Sequence, residues 1–283
     1  MKLAWSGRLA LVAIVAGAFV GVLPPAAAAQ ATSIDDREID PVQPDFVVVN
    51  LPTNLRIPRH SFAFYLTHRF SRPLGEGDFS DLVSDFFGFD SGAKVGFGLR
   101  FGLFTATELS LYRTNDRAIQ FGLKRDLLQQ GEKPLSLGLQ GAIEGRDNFS
   151  EIYSPALSLI ASRKLGQRAT LYAVPAYVGN VSANDADTGD DAFLLGLGGR
   201  LLVGHGVAIL AEWTGHFGYD PPDPIDPRQQ AAQAFTFGLE KRVGGHAFQL
   251  NFSNNFGSTY TSLARGGSQN DWFIGFNLSR KFY

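Results

Sequence analysis

From Ile57 to the C-terminus, apolar side chains recur at every second position, and no other feature of this chain constrains its fold so tightly. Phe62, Phe64 and Leu66 alternate with Ala63, Tyr65 and Thr67. Val95, Phe97, Leu99, Phe101 and Leu103 alternate with Gly96, Gly98, Arg100 and Gly102. The rhythm returns in Leu109/Leu111, Ile119/Phe121/Leu123, Leu135/Leu137/Leu139, Leu157/Leu159, Phe193/Leu195/Leu197, Ile209/Ala211/Trp213, Phe235/Phe237/Leu239, Phe248/Leu250/Phe252 and Trp272/Ile274/Phe276/Leu278. Successive side chains of a strand point to opposite sides, so each segment carries one apolar face and one face of Gly, Ser, Gln, Asn and single charges. The count is about twelve strands of roughly 8 to 13 residues each. Segment 171–178 is ambiguous in register, because both of its faces are apolar.

Such a pattern fits a soluble sandwich or a membrane barrel, and two observations separate them. A sandwich exposes a face rich in Lys, Glu and Thr, whereas here the second face is dominated by small residues with scattered charges, as a barrel interior tolerates. The predicted connections also alternate. Gaps 105–106, 129–133, 165–167, 204–206 and 243–245 are short; 71–93, 145–152, 181–190, 218–233 and 256–270 are long, with Thr114-Asn115-Asp116 the exception. Short periplasmic turns and longer external loops of an up-and-down barrel produce this alternation, and a Greek-key sandwich does not. In hydrocarbon, strands can cross only when every backbone group is paired in a closed sheet. The expected fold is therefore all-β: a transmembrane up-and-down antiparallel β-barrel of about twelve strands. An even count places both termini on the short-turn side.

The N-terminus reads as an address. Lys2 and Arg8 precede the apolar run Leu9 to Leu23, followed by Pro24-Pro25 and small residues to Ala31, the layout of a secretory signal peptide over 1–29. Residues 30–56, with Asp35, Asp36, Glu38, Asp40 and Asp45 among prolines around the short apolar patch Val47 to Val49, read as an exposed periplasmic linker, and 57–283 as the barrel. Removing Lys2 and Arg8 from 25 basic residues leaves 23 against 27 acidic ones, so nucleic acid is not an expected partner. With no cysteine there is neither a disulfide scaffold nor a thiolate metal site. Beyond the leader no run of 18 apolar residues occurs, so helical spans are not expected. The expected location is the outer membrane of a Gram-negative bacterium.

The C-terminal segment from Trp272 ends Asn277-Leu278-Ser279-Arg280-Lys281-Phe282-Tyr283. It looks like the terminal signal read by the barrel-insertion machinery, with Arg280 interrupting the outward apolar series and free to snorkel. Further pieces are Thr67-His68-Arg69-Phe70, Phe87-Gly88-Phe89-Asp90-Ser91-Gly92-Ala93, Gly122-Leu123-Lys124, the run Gly244 to Asn255 and Gly275-Phe276-Asn277-Leu278-Ser279-Arg280. Together they resemble a family of bacterial β-barrel proteins, domain of unknown function 5777, over about residue 47 to the end. The resemblance implies a barrel and assigns no activity.

With the apolar faces toward lipid, the opposite faces define a lumen. Its expected lining includes the cations Arg69, Arg100, Lys124 and Arg200, the acids Glu108, Glu144, Glu212 and Glu240, and the amides Gln120, Gln249, Asn251 and Asn277. Arg100, Glu108 and Lys124 lie on three successive strands, as do Arg200, Glu212 and Glu240, so neighbouring opposite charges are expected to pair. Two readings follow: an internal salt-bridge ladder that stiffens the barrel, or a charged constriction selecting a small polar or anionic solute. The leading function is a channel or small-solute-binding barrel. The alternative is a non-conducting structural or docking barrel, and the remote one a membrane-surface hydrolase. No histidine pair stands at zinc-ligand spacing and nothing marks a nucleophile, so neither catalytic residues nor a cofactor or metal is expected. The aromatic-rich loop 71–93, with Phe79, Phe86, Phe87 and Phe89, is expected to plug the lumen or pack on the rim, and the proline-rich loop 219–227 to be rigid and exposed. The inside–outside assignment predicts that Phe237→Arg impairs membrane folding far more than Glu240→Arg.

Overall fold

The computed structural model describes residues 45–84, 92–131, 133–182 and 190–282. The expected leader 1–29, the first part of the expected linker and Phe86, Phe87 and Phe89 lie outside the described residues. Twelve strands are present: β1 (Phe62–Phe70), β2 (Ala93–Phe104), β3 (Thr107–Thr114), β4 (Ile119–Leu128), β5 (Ser136–Arg146), β6 (Glu151–Leu165), β7 (Ala169–Val178), β8 (Ala192–Gly204), β9 (Val207–Phe217), β10 (Ala234–Val243), β11 (His246–Ser253) and β12 (Phe273–Phe282). Each pairs antiparallel with its sequence neighbours, and β12 pairs with β1 to close the barrel. Closure leaves no sheet edge, which is what permits strands to meet lipid.

At one end the connections are 105–106, 129–135, 166–168, 205–206 and 244–245; at the other they are 71–92, 115–118, 147–150, 179–191, 218–233 and 254–272. Two differ from expectation. Connection 129–135 is longer, because β5 begins only at Ser136. Connection 147–150 is shorter, because Asp147, Asn148 and Phe149 all take positive φ, a left-handed run that reverses the chain within one turn. Among the described residues, two short helices sit in the long connections: α1 (Phe79–Ser84) and α2 (Tyr260–Ala264).

The side chains invert the distribution of a water-soluble protein. Phe97 is 48% exposed, Phe237 50% and Phe248 49%, while Arg69 is 1% exposed, Arg200 2% and Glu240 1%. An exposed belt this apolar is unfavourable in water at ~25 cal/mol per Å² and suits hydrocarbon. The chain is a membrane β-barrel, and lipid surrounds it. In β7, Thr170, Tyr172, Val174, Ala176 and Val178 point inward, so the ambiguous segment turns an apolar face to the interior.

That face has apolar partners. Val48, Val49 and Leu51 from the N-terminal segment, and Tyr260, Leu263 and Ala264 from α2, join Ile160, Tyr172, Val174 and Leu210 in one buried cluster inside the barrel. The expectation that the linker is exposed throughout is therefore corrected over residues 45–56: Val48 and Val49 are fully buried, and Phe46 is 2% exposed. The described part of loop 71–93 does not enter the lumen. Its residues are mostly exposed, Phe79 at 74%. Connection 254–272 turns inward, and Val181 of connection 179–191 joins the same buried cluster.

Candidate functional site: an occupied lumen

Residues 45–57 form a hairpin inserted through the short-turn end. Val48 N donates to Leu51 O (2.8 Å), Thr53 N to Phe46 O (3.1 Å), and Val47 bridges Pro52. Pro52 has no N–H to satisfy, so the reversal loses no hydrogen bond there. At the base, Asp45 bonds to Ser279 and pairs with Lys281 Nζ at 2.6 Å, and the Phe46 ring lies beneath Arg100 and Lys281. The chain then leads through exposed Arg59 and His60 into β1.

The tip meets Glu212 of β9. Its carboxylate accepts the backbone N–H groups of Val49 (2.6 Å), Asn50 (2.9 Å) and Leu51 (2.8 Å). Three converging amides form a concave donor set that suits an anion. Around them Gln249 Nε2 donates to Val48 O (2.9 Å), Asn277 Nδ2 to Val49 O (2.8 Å) and Arg69 Nη2 to Asn50 Oδ1 (2.9 Å). On the returning arm Lys124 Nζ donates to Thr53 O (3.1 Å) and Leu55 O (2.7 Å), and Arg56 pairs with Asp126 at 2.9 Å. The wall makes room with glycine: a Cβ on Gly196 would stand 2.4 Å from Leu51 Cδ2.

The opposite half is filled by 254–272. Thr259 caps α2 by accepting from Ser262 N, Tyr260 shares a hydrogen bond with Ser158 (2.5 Å), and Tyr112 bonds both Ser258 and Thr67. Asp223, expected in an exposed loop, is 3% exposed; its carboxylate accepts Gln269 N at 2.6 Å and Ile225 N at 2.8 Å, tying 218–233 to 254–272.

The remaining residues expected at the lumen occupy the inner face. Glu108 bonds Arg100 and lies 3.3 Å from Lys124 Nζ. Arg200 Nε lies 2.9 Å from Glu240, which also receives Arg242 and Gln249. Asn277 links Gln249 (2.8 Å) to Arg69 (2.8 Å). Asn251 is fully buried between Gly238 and Gly275 of its neighbours, Glu144 is buried, and Gln120 accepts Tyr260 N at 3.4 Å. Glu212 departs from the expected pairing with Arg200 and Glu240. It stands opposite Gly198 and Thr236, two residues from Arg200 and four from Glu240, and takes backbone amides instead. Sequence reasoning did not find Asp45, Asn50, Tyr112, Asp126 or Thr236, whose roles depend on the inserted segments.

The fold is similar to NanC porin, at 7% identity and TM-score 0.50 over 79% of this chain and 99% of that one. An outer-membrane channel from Pseudomonas putida F1 aligns at 12% identity and TM-score 0.48, over 80% and 97% of the two chains. The Acinetobacter baumannii outer-membrane protein Omp33 aligns at 11% and 0.42, over 80% and 100%. At such identities the NanC likeness speaks for the barrel alone. No curated protein matches the sequence. A family model described as a membrane-bound β-barrel domain matches residues 45–282, from the first described residue of the hairpin to the end of β12, and the chain belongs to that family, DUF5777.

Proposed function

We propose that this is an exported outer-membrane barrel that passes small solutes and is held closed at rest by its own N-terminal hairpin. The observation that carries the reading is the seat of the tip on Glu212. The hairpin is held by hydrogen bonds and ion pairs to a polar wall, which water can replace when it leaves, together with the apolar contacts of Val48, Val49 and Leu51. Both arms of the hairpin reach the short-turn end, so it can withdraw without unpairing a strand. Arg69, Glu212, Gln249 and Asn277 would then line a hydrated passage. Residues 1–29 serve as the export signal, 30–44 as the periplasmic approach, and β12 as the segment offered to the insertion machinery. This reading assigns no catalytic residue, and His68 stacks on Phe276.

Planar bilayers test the proposal. The full chain should be closed with rare openings. A chain carrying an inserted protease site between Arg59 and His60, cut after folding, should show sustained conductance steps. Equal, steady conductance before and after cutting would refute closure by the hairpin. Silence after cutting would favour the second reading, a non-conducting docking barrel, for which the inward fold of 254–272 speaks.

A further inference from the structure

The geometry points to a peptide-binding site on the inner wall, of which the resident hairpin is one occupant: we infer that short peptides with an apolar turn are the ligands of this lumen. The inference rests on the closed-barrel reading above and adds the chemistry of what enters.

At the tip and along the returning arm the wall addresses the hairpin's main chain. Glu212 accepts three successive amide N–H groups. Gln249 and Asn277 donate to the carbonyls of Val48 and Val49. Lys124 donates to the carbonyls of Thr53 and Leu55. These four side chains lie on β9, β11, β12 and β4, so acceptors and donors approach the occupant from different sides of the barrel. A monosaccharide or a simple anion offers no such succession of N–H and C=O groups. A polypeptide offers it whatever its side chains.

Side chains are read at the tip and at two charged anchors, Asp45 on Lys281 and Arg56 on Asp126. Leu51 packs over Gly196, whose added Cβ would overlap it, and Val48 and Val49 lie against Gly198 and Gly238. Behind them stand Ile160, Tyr172, Val174 and Leu210. The wall therefore selects a turn with apolar side chains around Asn50 at its apex, holds an acidic and a basic side chain near the two ends, and reads the stretch between through its backbone. Hydrogen bonds to buried charged groups and burial of two or three branched side chains together supply the affinity.

The test uses full-length protein with the protease site between Arg59 and His60, folded in detergent and then cut. A fluorescent synthetic peptide of residues 45–57 is added and its anisotropy followed, a readout independent of conductance. The peptide should exchange into the barrel. An unlabelled peptide of otherwise unrelated sequence that keeps the Val-Val-Asn-Leu turn and the acidic and basic residues at the places of Asp45 and Arg56 should compete within about tenfold, whereas the 45–57 peptide N-methylated at the amides of residues 49 and 51 should compete at least tenfold more weakly. Glu212→Gln in the barrel should weaken binding by a similar factor. Equal competition by the N-methylated peptide, or none by the unrelated turn peptide, would overturn the proposal. A cut fragment that never exchanges with excess peptide would also overturn it, by making the hairpin permanent structure. Peptide exchange by a barrel that conducts nothing would leave this inference standing and defeat the channel reading alone.

Discussion

Replacing Glu212 by Gln isolates the contact on which closure depends. The carboxylate accepts three backbone amides at 2.6 to 2.9 Å. Hydrogen bonds to a charged group are worth a net ~1.5–3 kcal/mol, against ~0.5–1.5 kcal/mol between neutral groups, and these net values already contain the cost of desolvation. The substituted side chain presents one carbonyl oxygen and turns an NH₂ group toward the donors. A loss near 1 kcal/mol at each of three amides gives about 3 kcal/mol, or roughly a hundredfold shift toward the released hairpin. Hydrogen exchange of the protein in lipid nanodiscs reads this directly. The amides of Val49, Asn50 and Leu51 should exchange about a hundred times faster, while those of β1 to β12 keep their protection. Unchanged protection at the tip would show that the apolar cluster, and not Glu212, holds the hairpin. Loss of protection throughout the barrel would show that the hairpin is an inseparable part of the core.

Three further outcomes follow from the same contacts. Gly196→Val should expel the tip, because any Cβ there overlaps Leu51, and Leu51→Ala in the same chain should restore tip protection; overpacking of this kind costs ~1–3 kcal/mol. Phe237→Arg, on the lipid face, should lower membrane folding stability by ~2–4 kcal/mol if it lies at the midplane, measured by urea titration in liposomes. Glu240→Arg should be as damaging, by ~3–5 kcal/mol, because it sets a third guanidinium beside Arg200 and Arg242 in place of their buried partner. The last outcome replaces the milder effect expected when the lumen is taken as hydrated.

The strands were legible because lipid on one side and a polar interior on the other impose a strict period of two, which Phe97/Gly98/Leu99/Arg100 displays openly. Closure order followed from the alternation of short and long connections, although Asp147-Asn148-Phe149 turns in fewer residues than its composition suggests. The pairing of Arg100, Glu108 and Lys124 was open to inference from adjacency, since cross-strand neighbours are fixed by register. The partner of Glu212 was not, because it is a backbone tip brought from 161 to 163 residues away. The hairpin itself has no long-range signature, because a fold stabilised by the surrounding wall needs no amphipathic period of its own. One signal did stand in the sequence: a barrel strand apolar on both faces, 171–178, requires something apolar inside. Val48, Val49 and Leu51 are what the inserted hairpin supplies.

Cross-linking tests the position of the hairpin most directly. The chain has no cysteine, so introduced pairs report without background. Asn50 Nδ2 lies 3.4 Å from Thr236 Oγ1 inside the barrel, whereas the neighbouring Phe237 faces outward. In bilayer-embedded protein under mild oxidation, Asn50→Cys with Thr236→Cys should form a disulfide nearly quantitatively, and Asn50→Cys with Phe237→Cys should form none. Failure of the first pair, or equal yield from both, would contradict a lumen occupied by residues 45–57.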